Sequence, residues 1–178
     1  MTPRIRRLDL DRFAQCLPGL ADLLVDAVDS GASLGFWAPM PHAEAVLYWR
    51  EVMQGMVEKN LVLLVAEAAG EVVGSVQLLL SDRENGRHRA EIRKLMVHTS
   101  RRGHGLGRAL LSAAHVEAGF HGRRLLILDT RTGDTGEKLY ESMGYTRAAQ
   151  IPGFTIERDG TLHGTTFFYH LLPGPAAS

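Results

Sequence analysis

The chain predicts an α+β fold of about seven strands and about four helices. Three observations carry that expectation. Two β-branched and aliphatic runs, Leu61–Ala68 and Val72–Leu80, flank Ala69-Gly70-Glu71 and read as a hairpin. Segments with apolar spacing near 3.6 stand between runs of strand character. A glycine-rich turn, Arg101-Arg102-Gly103-His104-Gly105-Leu106-Gly107-Arg108, joins an apolar strand to a long helical stretch.

Taken in order, a short strand is expected at Ile5–Leu8. A helix capped by Asp11 follows, with Phe13, Leu17, Leu20, Leu23, Leu24 and Val28 on one face. Pro18 lies inside that pattern and predicts a kink or a late start. Residues 30–37 form a glycine-punctuated loop with two aromatics, Phe36 and Trp37. A second helix after Pro41 turns Ala45, Tyr48, Trp49, Val52, Met53 and Met56 inward. Beyond the hairpin and a polar loop at 82–88, Arg89–Val97 resumes as a strand. Its end, Leu95-Met96-Val97, is apolar on both faces, as in a central strand. The glycine turn then opens a helix from about Gly105 to His121. Leu125–Leu128 reads as a buried strand closed by Asp129, and Asp134–Met143 as a short helix stopped by Gly144. Tyr145–Gln150 and Thr165–Leu171 are the closing strands, around a turn at Arg158-Asp159-Gly160. The organisation expected is one domain over residues 1–172 and a flexible tail over 173–178.

Composition excludes several classes. The chain has 178 residues, 45% hydrophobic and 22% charged, ordinary for a globular protein. Its 20 basic and 20 acidic residues cancel, so no global field points to nucleic acid. No apolar run reaches the ~18–20 residues of a membrane span. The basic start, Met-Thr-Pro-Arg-Ile-Arg-Arg, leads into Leu-Asp-Leu-Asp and not into a signal region. With a single cysteine, Cys16, read as a small core residue, a reducing, cytoplasmic setting is expected. Nothing in the sequence reports an oligomeric state.

The glycine turn carries the chemistry. Alternate glycines leave backbone N–H groups uncovered, and Arg101, Arg102, Arg108 and a helix N-terminus add positive charge. A diphosphate suits such a place. A P-loop would continue Gly-Lys-Ser/Thr, but Gly107 is followed by Arg108-Ala109. A dinucleotide fingerprint would need glycine where Arg108 stands. Neither fits. His88, His98, His115 and His121 have no metal-ligand spacing and no His-Glu-x-x-His occurs, so no metal is expected. A Gly-x-Ser-x-Gly elbow is also missing.

Arg102-Gly103-His104-Gly105-Leu106-Gly107 instead resembles the Arg/Gln-x-x-Gly-x-Gly/Ala signature of the GCN5-related N-acetyltransferases. Leu139-Tyr140-Glu141-Ser142-Met143-Gly144-Tyr145, about thirty residues on, is similar to that family's second signature. Gly31–Phe36, Ala90–Val97, Leu128–Thr130 and Asp159–His163 extend the resemblance towards toxin-inactivating members that acetylate a β-lactam-containing amino acid. The resemblance implies a mixed, mostly antiparallel sheet whose central strands splay to admit acetyl-CoA. It assigns the pyrophosphate to the amides of Arg102, Gly103, His104, Gly105, Leu106, Gly107 and Arg108, and the pantetheine arm to Leu95, Met96 and Val97. It also implies an oxyanion donor at the N–H of Met96 or Val97. One departure is Gly133, seven residues before Tyr140, where many members have Asn. Asp134 and Thr135 are the candidates to replace that amide.

Acetyl transfer to an amine needs a base, because an aliphatic ammonium of pKa ~10 is not nucleophilic. It also needs an acid for a thiolate of pKa ~8.5. Tyr140 suits the acid, the family motif placing this Tyr beside the sulfur. Glu91 and Asp129 are the candidate bases, with ion pairs to Arg93 and Arg131 as the alternative reading. Ser33, Phe36 and Trp37 are expected over the acceptor, with Phe154 and the Asp159–His163 turn as a further wall. The expected partners are therefore acetyl-CoA and a small amine, with no nucleic acid and no membrane. A protein N-terminus or lysine as acceptor, and a non-catalytic acyl-CoA-binding module, remain open.

Overall fold

A computed structural model describes residues 3–173; the tail expected at 173–178 lies outside the described residues from position 174 onward. Seven strands form one sheet in the order β1-β2-β3-β4-β5-β7-β6. They are β1 (Arg4–Arg7), β2 (Leu61–Ala68), β3 (Glu71–Leu80), β4 (Arg89–Val97), β5 (Leu125–Arg131), β6 (Thr146–Ile156) and β7 (Leu162–Leu171). Every neighbouring pair is antiparallel except β4–β5. The α-helices are α1 (Leu10–Asp29), α2 (His42–Val57), α3 (Leu106–Phe120) and α4 (Thr135–Ser142).

The sheet separates two cores. On one face Val62, Leu64, Val76, Leu78, Ile92, Leu126 and Phe168 pack with Leu110, Leu111 and Ala114 of α3 and with Tyr140 of α4. On the other, Leu63, Val65 and Met96 meet Phe13, Leu20, Leu24 and Trp49 of α1 and α2. Each fully buried large apolar side chain contributes ~1.5–3 kcal/mol through burial. That packing carries α1 through Pro18, where a helix loses one internal hydrogen bond. The helix neither starts late nor stops there.

Several sequence expectations shift. Asp9, not Asp11, caps α1, its carboxylate accepting the Arg12 N–H at 2.9 Å. Met53 faces solvent although its spacing matches the α2 stripe. Strand β5 does not close at Asp129 but runs two residues further, because Asp129, Thr130 and Arg131 all pair with β7. Strand β6 outlasts Gln150: Pro152-Gly153 sits in a bulge between Ile151 and Thr155, after which pairing with β7 resumes. Cys16 is buried, and its thiol donates to Glu67 at 3.6 Å.

Two local features aim the fold at one place. A Cβ on Gly74 of β3 would lie 2.9 Å from Leu110 and 3.0 Å from the Met96 carbonyl, so only glycine there lets α3 close on the end of β4. A register shift opposite Ser75–Gln77 puts one extra residue into β4, and Lys94 takes it up at φ +49°.

Candidate active site

The parallel pairing of β4 and β5 lasts three residues, Arg89–Leu125 to Glu91–Ile127. Beyond it the strands diverge. The rest of β4 loses its neighbour on that side, and β5 stays paired only with β7. The His98 N–H bonds to the Val73 carbonyl at 3.0 Å, in register with the Val97–Gly74 pair. Antiparallel alternation therefore turns the Val97 amide away from β3, towards the gap.

A cavity of about 850 Å³ fills this gap. Its walls include Leu95, Met96 and Val97 from β4 and Arg101, Arg102, Gly103, Gly105, Leu106 and Gly107 from the turn before α3. Tyr140 and Asp129 stand on the opposite side, with Asp134 and Thr135 at the start of α4. Glu91, Ser33 and Phe154 also line it, whereas His104, Arg108, Phe36, Trp37 and the Asp159–His163 turn stand outside its walls.

The three turn glycines have two different jobs. Gly103 and Gly105 both adopt φ +78°, and a Cβ on either would meet nothing within 4 Å. Left-handed backbone here leaves the first amides of α3 uncovered and pointing outward. Gly107 is helical, and its Cβ position lies 3.5 Å from Leu139, so it permits α3–α4 contact. The arginines also divide. Arg102 donates to the Val97 carbonyl at 3.0 Å and to Ser30 Oγ at 2.8 Å. Arg108 reaches Ser142 Oγ at 2.6 Å, at the end of α4, and Met143 Sδ at 2.9 Å just beyond it. Of the three turn arginines, Arg101 and Arg102 belong to the cavity wall and Arg108 does not. The His104 ring turns back onto the Arg102 carbonyl at 2.7 Å.

Tyr140 is 8% exposed, packed against Tyr145 and Phe168 at ring separations of 5.7 and 5.8 Å. Burial, then the charge of Asp129, pushes its phenol up to about 12. Burial also raises the Asp129 carboxyl above its ordinary range, while Lys94 and then Arg93 pull it back. The side chain has open surface because it faces the cavity, yet protein surrounds it closely enough to desolvate the carboxylate. Glu91 pairs with Arg93 at 3.3 Å. Arg131 pairs with Glu157, which leaves Asp129 without the partner the ion-pair reading gave it. Gly133, at φ +87°, donates its backbone N–H to Glu137.

Lys94 is a site residue that the sequence reading passed over. Its ammonium donates to the Leu34 carbonyl and lies 5.3 Å from the Phe36 ring centre and 5.6 Å from that of Tyr48. Burial lowers it to about 8, Arg93 adding to the shift against the opposing pull of Asp129 and Glu91. A cation inside an otherwise apolar strand end, Lys94 before Leu95-Met96-Val97, was the available signal.

Among the described residues no group of three His, Cys, Asp or Glu side chains could hold a metal ion, and no helix is long and apolar enough to cross a membrane.

Among the described residues the sheet parts at its one parallel pair, with bare helix-terminal amides at one end of the gap and a buried tyrosine across it. Residues 59–147 match the acetyltransferase (GNAT) domain family, and the chain belongs to that family. Among solved structures it is similar to the Salmonella typhimurium protein yncA, determined with its cofactor acetyl-CoA, at 23% identity over 100% of this chain and 98% of that one, with a TM-score of 0.77. A phosphinothricin acetyltransferase of Sinorhizobium meliloti, in complex with acetyl-CoA, matches at 21% identity over 100% and 93%, with a TM-score of 0.79. A ribosomal-protein-alanine N-acetyltransferase of Brucella melitensis matches at 24% identity over 95% and 99%, with a TM-score of 0.77. At these identities the likeness establishes the fold.

Proposed function

We propose that the protein is an acetyl-CoA-dependent N-acetyltransferase that acts directly on the primary amine of a small molecule. The observation that carries this reading is the β4–β5 gap, with Asp129 and Tyr140 on one wall and the uncovered α3 terminus at its end. The donor fits the residues present. Gly103 and Gly105 leave room beside the first amides of α3, and the free edge of β4 at Leu95–Val97 suits an amide-bearing arm. When bound, acetyl-CoA supplies a thioester with an electrophilic acyl carbon and a thiolate leaving group.

The division of labour follows from the environments. Asp129, raised by burial and free of Arg131, takes the proton of the incoming ammonium. Glu91, held by Arg93, orients the amine. The Val97 amide, turned to the gap, is placed to donate to the developing oxyanion. Tyr140 remains a phenol throughout the working pH range and delivers its proton to the departing sulfur. As the carbon–nitrogen bond replaces the carbon–sulfur bond, the ammonium gives up two protons in all, one to Asp129 before attack and one that restores the Tyr140 phenol after it has protonated the departing sulfur. Asp134 and Thr135 line the cavity where Gly133 offers no side chain. Ser33 lines the acceptor end, and Phe36 and Trp37 hold the loop that carries it.

For the acceptor, resemblance to the tabtoxin resistance protein along Gly31–Phe36, Ala90–Val97 and Asp159–His163 supports an amino-acid-like toxin. The similar fold of a phosphinothricin acetyltransferase supports the same class. A thiol-release screen over amino acids, polyamines, aminoglycosides and the toxin tests the proposal. Turnover is expected with an amino-acid-like amine and is expected to fall at least about tenfold in Tyr140→Phe, with acetyl-CoA affinity largely retained. Acetyl-CoA binding with no amine-dependent thiol release would make the protein a binding module instead.

A further inference from the structure

We propose that Glu137 is a positioning residue of the reaction: through a buried hydrogen-bond network its carboxylate seats the short helix α4 and so fixes where Tyr140 meets the cleft. The proposal rests on the reading of Tyr140 as the acid and adds a residue that works through it.

Among the described residues Glu137 is the one charged side chain that is buried, at 9% exposure. It stands outside the cavity walls, so it meets neither donor nor amine. A charge taken out of water is costly unless it is paired and hydrogen-bonded. Both oxygens of Glu137 are, by groups from separate parts of the chain. Thr166 of β7 donates its hydroxyl to Oε1 at 2.5 Å. Arg147 of β6 donates through both terminal nitrogens, to Oε1 at 3.2 Å and to Oε2 at 3.3 Å. The Gly133 N–H, in the turn between β5 and α4, is a further donor.

Counting hydrogens fixes the direction of the network. A carboxylate only accepts, so the single Thr166 hydroxyl hydrogen points to Glu137. Thr166 Oγ1 must then accept from Thr132 Oγ1 at 2.9 Å and from Gln150 Nε2 at 3.2 Å. One ionised carboxylate thus orders side chains on the β5–α4 turn, β6 and β7. Burial works against that ionisation, but Thr166, Gly133 and Arg147 outweigh it and hold the carboxyl below its ordinary range.

Helix α4 needs such an anchor. It has eight residues, and Asp134 at its start makes no side-chain cap bond. Helices shorter than about 12–15 residues are marginal by themselves. Glu137 and Tyr140, three positions apart, lie on the same side of α4, so what holds one sets the height and rotation of the other. A second link runs through the rings. The Arg147 guanidinium lies 5.4 Å from the centre of Phe168, whose ring packs on Tyr140. A phenol displaced by about an ångström no longer meets the sulfur squarely, and a misplacement of that size costs up to about 100-fold in rate.

Glu137→Gln keeps the shape and breaks the network. Arg147 donates to both oxygens, so whichever way the amide turns, one Arg147 nitrogen meets an NH2 group. By thiol release on the full chain, Glu137→Gln is expected to lower kcat about tenfold while the acetyl-CoA Kd from calorimetry stays within about threefold. In the Tyr140→Phe background the same substitution is expected to cost less than about twofold, because the group it positions is gone. An equal loss in both backgrounds, or no loss in the first, would overturn the proposal. Thr166→Val removes one donor and is expected to lower kcat about threefold with the same dependence on Tyr140, and it carries the comparison should Glu137→Gln not fold. Should Tyr140→Phe lose no turnover, or no amine release thiol, the acid reading fails while the positioning stays testable without activity. In protein labelled with 3-fluorotyrosine, the Tyr140 fluorine resonance is identified by its loss in Tyr140→Phe. Glu137→Gln, or Thr166→Val in its place, is expected to shift that resonance and leave the Tyr48 resonance where it was. An unmoved Tyr140 resonance, or an equal shift of all 4 tyrosines, overturns the proposal.

Discussion

Asp129 and Lys94 set each other's charge across the gap between β4 and β5. A carboxylate base works only when ionised, so activity falls as pH drops through its pKa. Burial raises that pKa for Asp129, and the Lys94 ammonium lowers it. Lys94, at about 8, stays cationic throughout the acidic limb. Removing the charge in Lys94→Met should therefore move the acidic limb of kcat/KM to higher pH, by roughly half a unit to one unit. Lys94→Arg, which keeps the charge, should return it. A limb unmoved by Lys94→Met would take the base role away from Asp129. Tyr140, raised to about 12, contributes no alkaline limb below about pH 11.

At the scale of elements, a stack of rings joins α3, the segment after α4, and β7. His115 lies 2.9 Å from the Tyr145 hydroxyl, and His170 stacks on both rings at 5.0 Å. Burial, and then the charge of His170, lowers His115 to about 4 from an ordinary 6.5. The folded protein thus resists a proton that the unfolded chain accepts. Stability from this group is complete above about pH 6.5 and is lost as pH falls towards 4. Urea midpoints of the wild type should decline across that window more steeply than those of His115→Gln. Equal slopes would show that the stack does not exclude the proton. Tyr140 rests its ring on Tyr145, so this stack also backs the proposed acid.

At the scale of the whole molecule, the sheet is divided at the β4–β5 pair, the only parallel one among the described residues, and a donor seated there would touch both halves. Ligand present at about 100 times its Kd stabilises a protein by about 2.7 kcal/mol, which for a chain of this size is roughly 5–10 °C in Tm. Acetyl-CoA is expected to give that shift in the wild type and little of it in Gly105→Val. A valine at φ +78° costs about 1–2 kcal/mol of backbone strain, so the variant's own Tm without ligand is the reference. A full ligand-induced shift in Gly105→Val would place the donor elsewhere.

The sequence by itself determined the parts that are local in the chain. The hairpin, the β4 run and the helices follow from period and punctuation, because burial of one face imposes a spacing that any reader of the chain can see. The glycine turn was legible for the same reason: left-handed backbone at Gly103 and Gly105 is a property of those residues and their neighbours. Misplaced boundaries came where tertiary contact overrode a local signal, as when β7 pairing carried β6 past Pro152-Gly153 and packing carried α1 through Pro18. Only the tertiary structure decided how charges were spent. Arg108, drawn to a phosphate in the sequence reading, is taken by α4; Arg131 goes to Glu157 and leaves Asp129 free; Trp37 leaves the pocket for Ile156. An arginine or an indole reaches several partners from one backbone position. Which partner it meets depends on segments far away in the chain, and spacing carries no information about them.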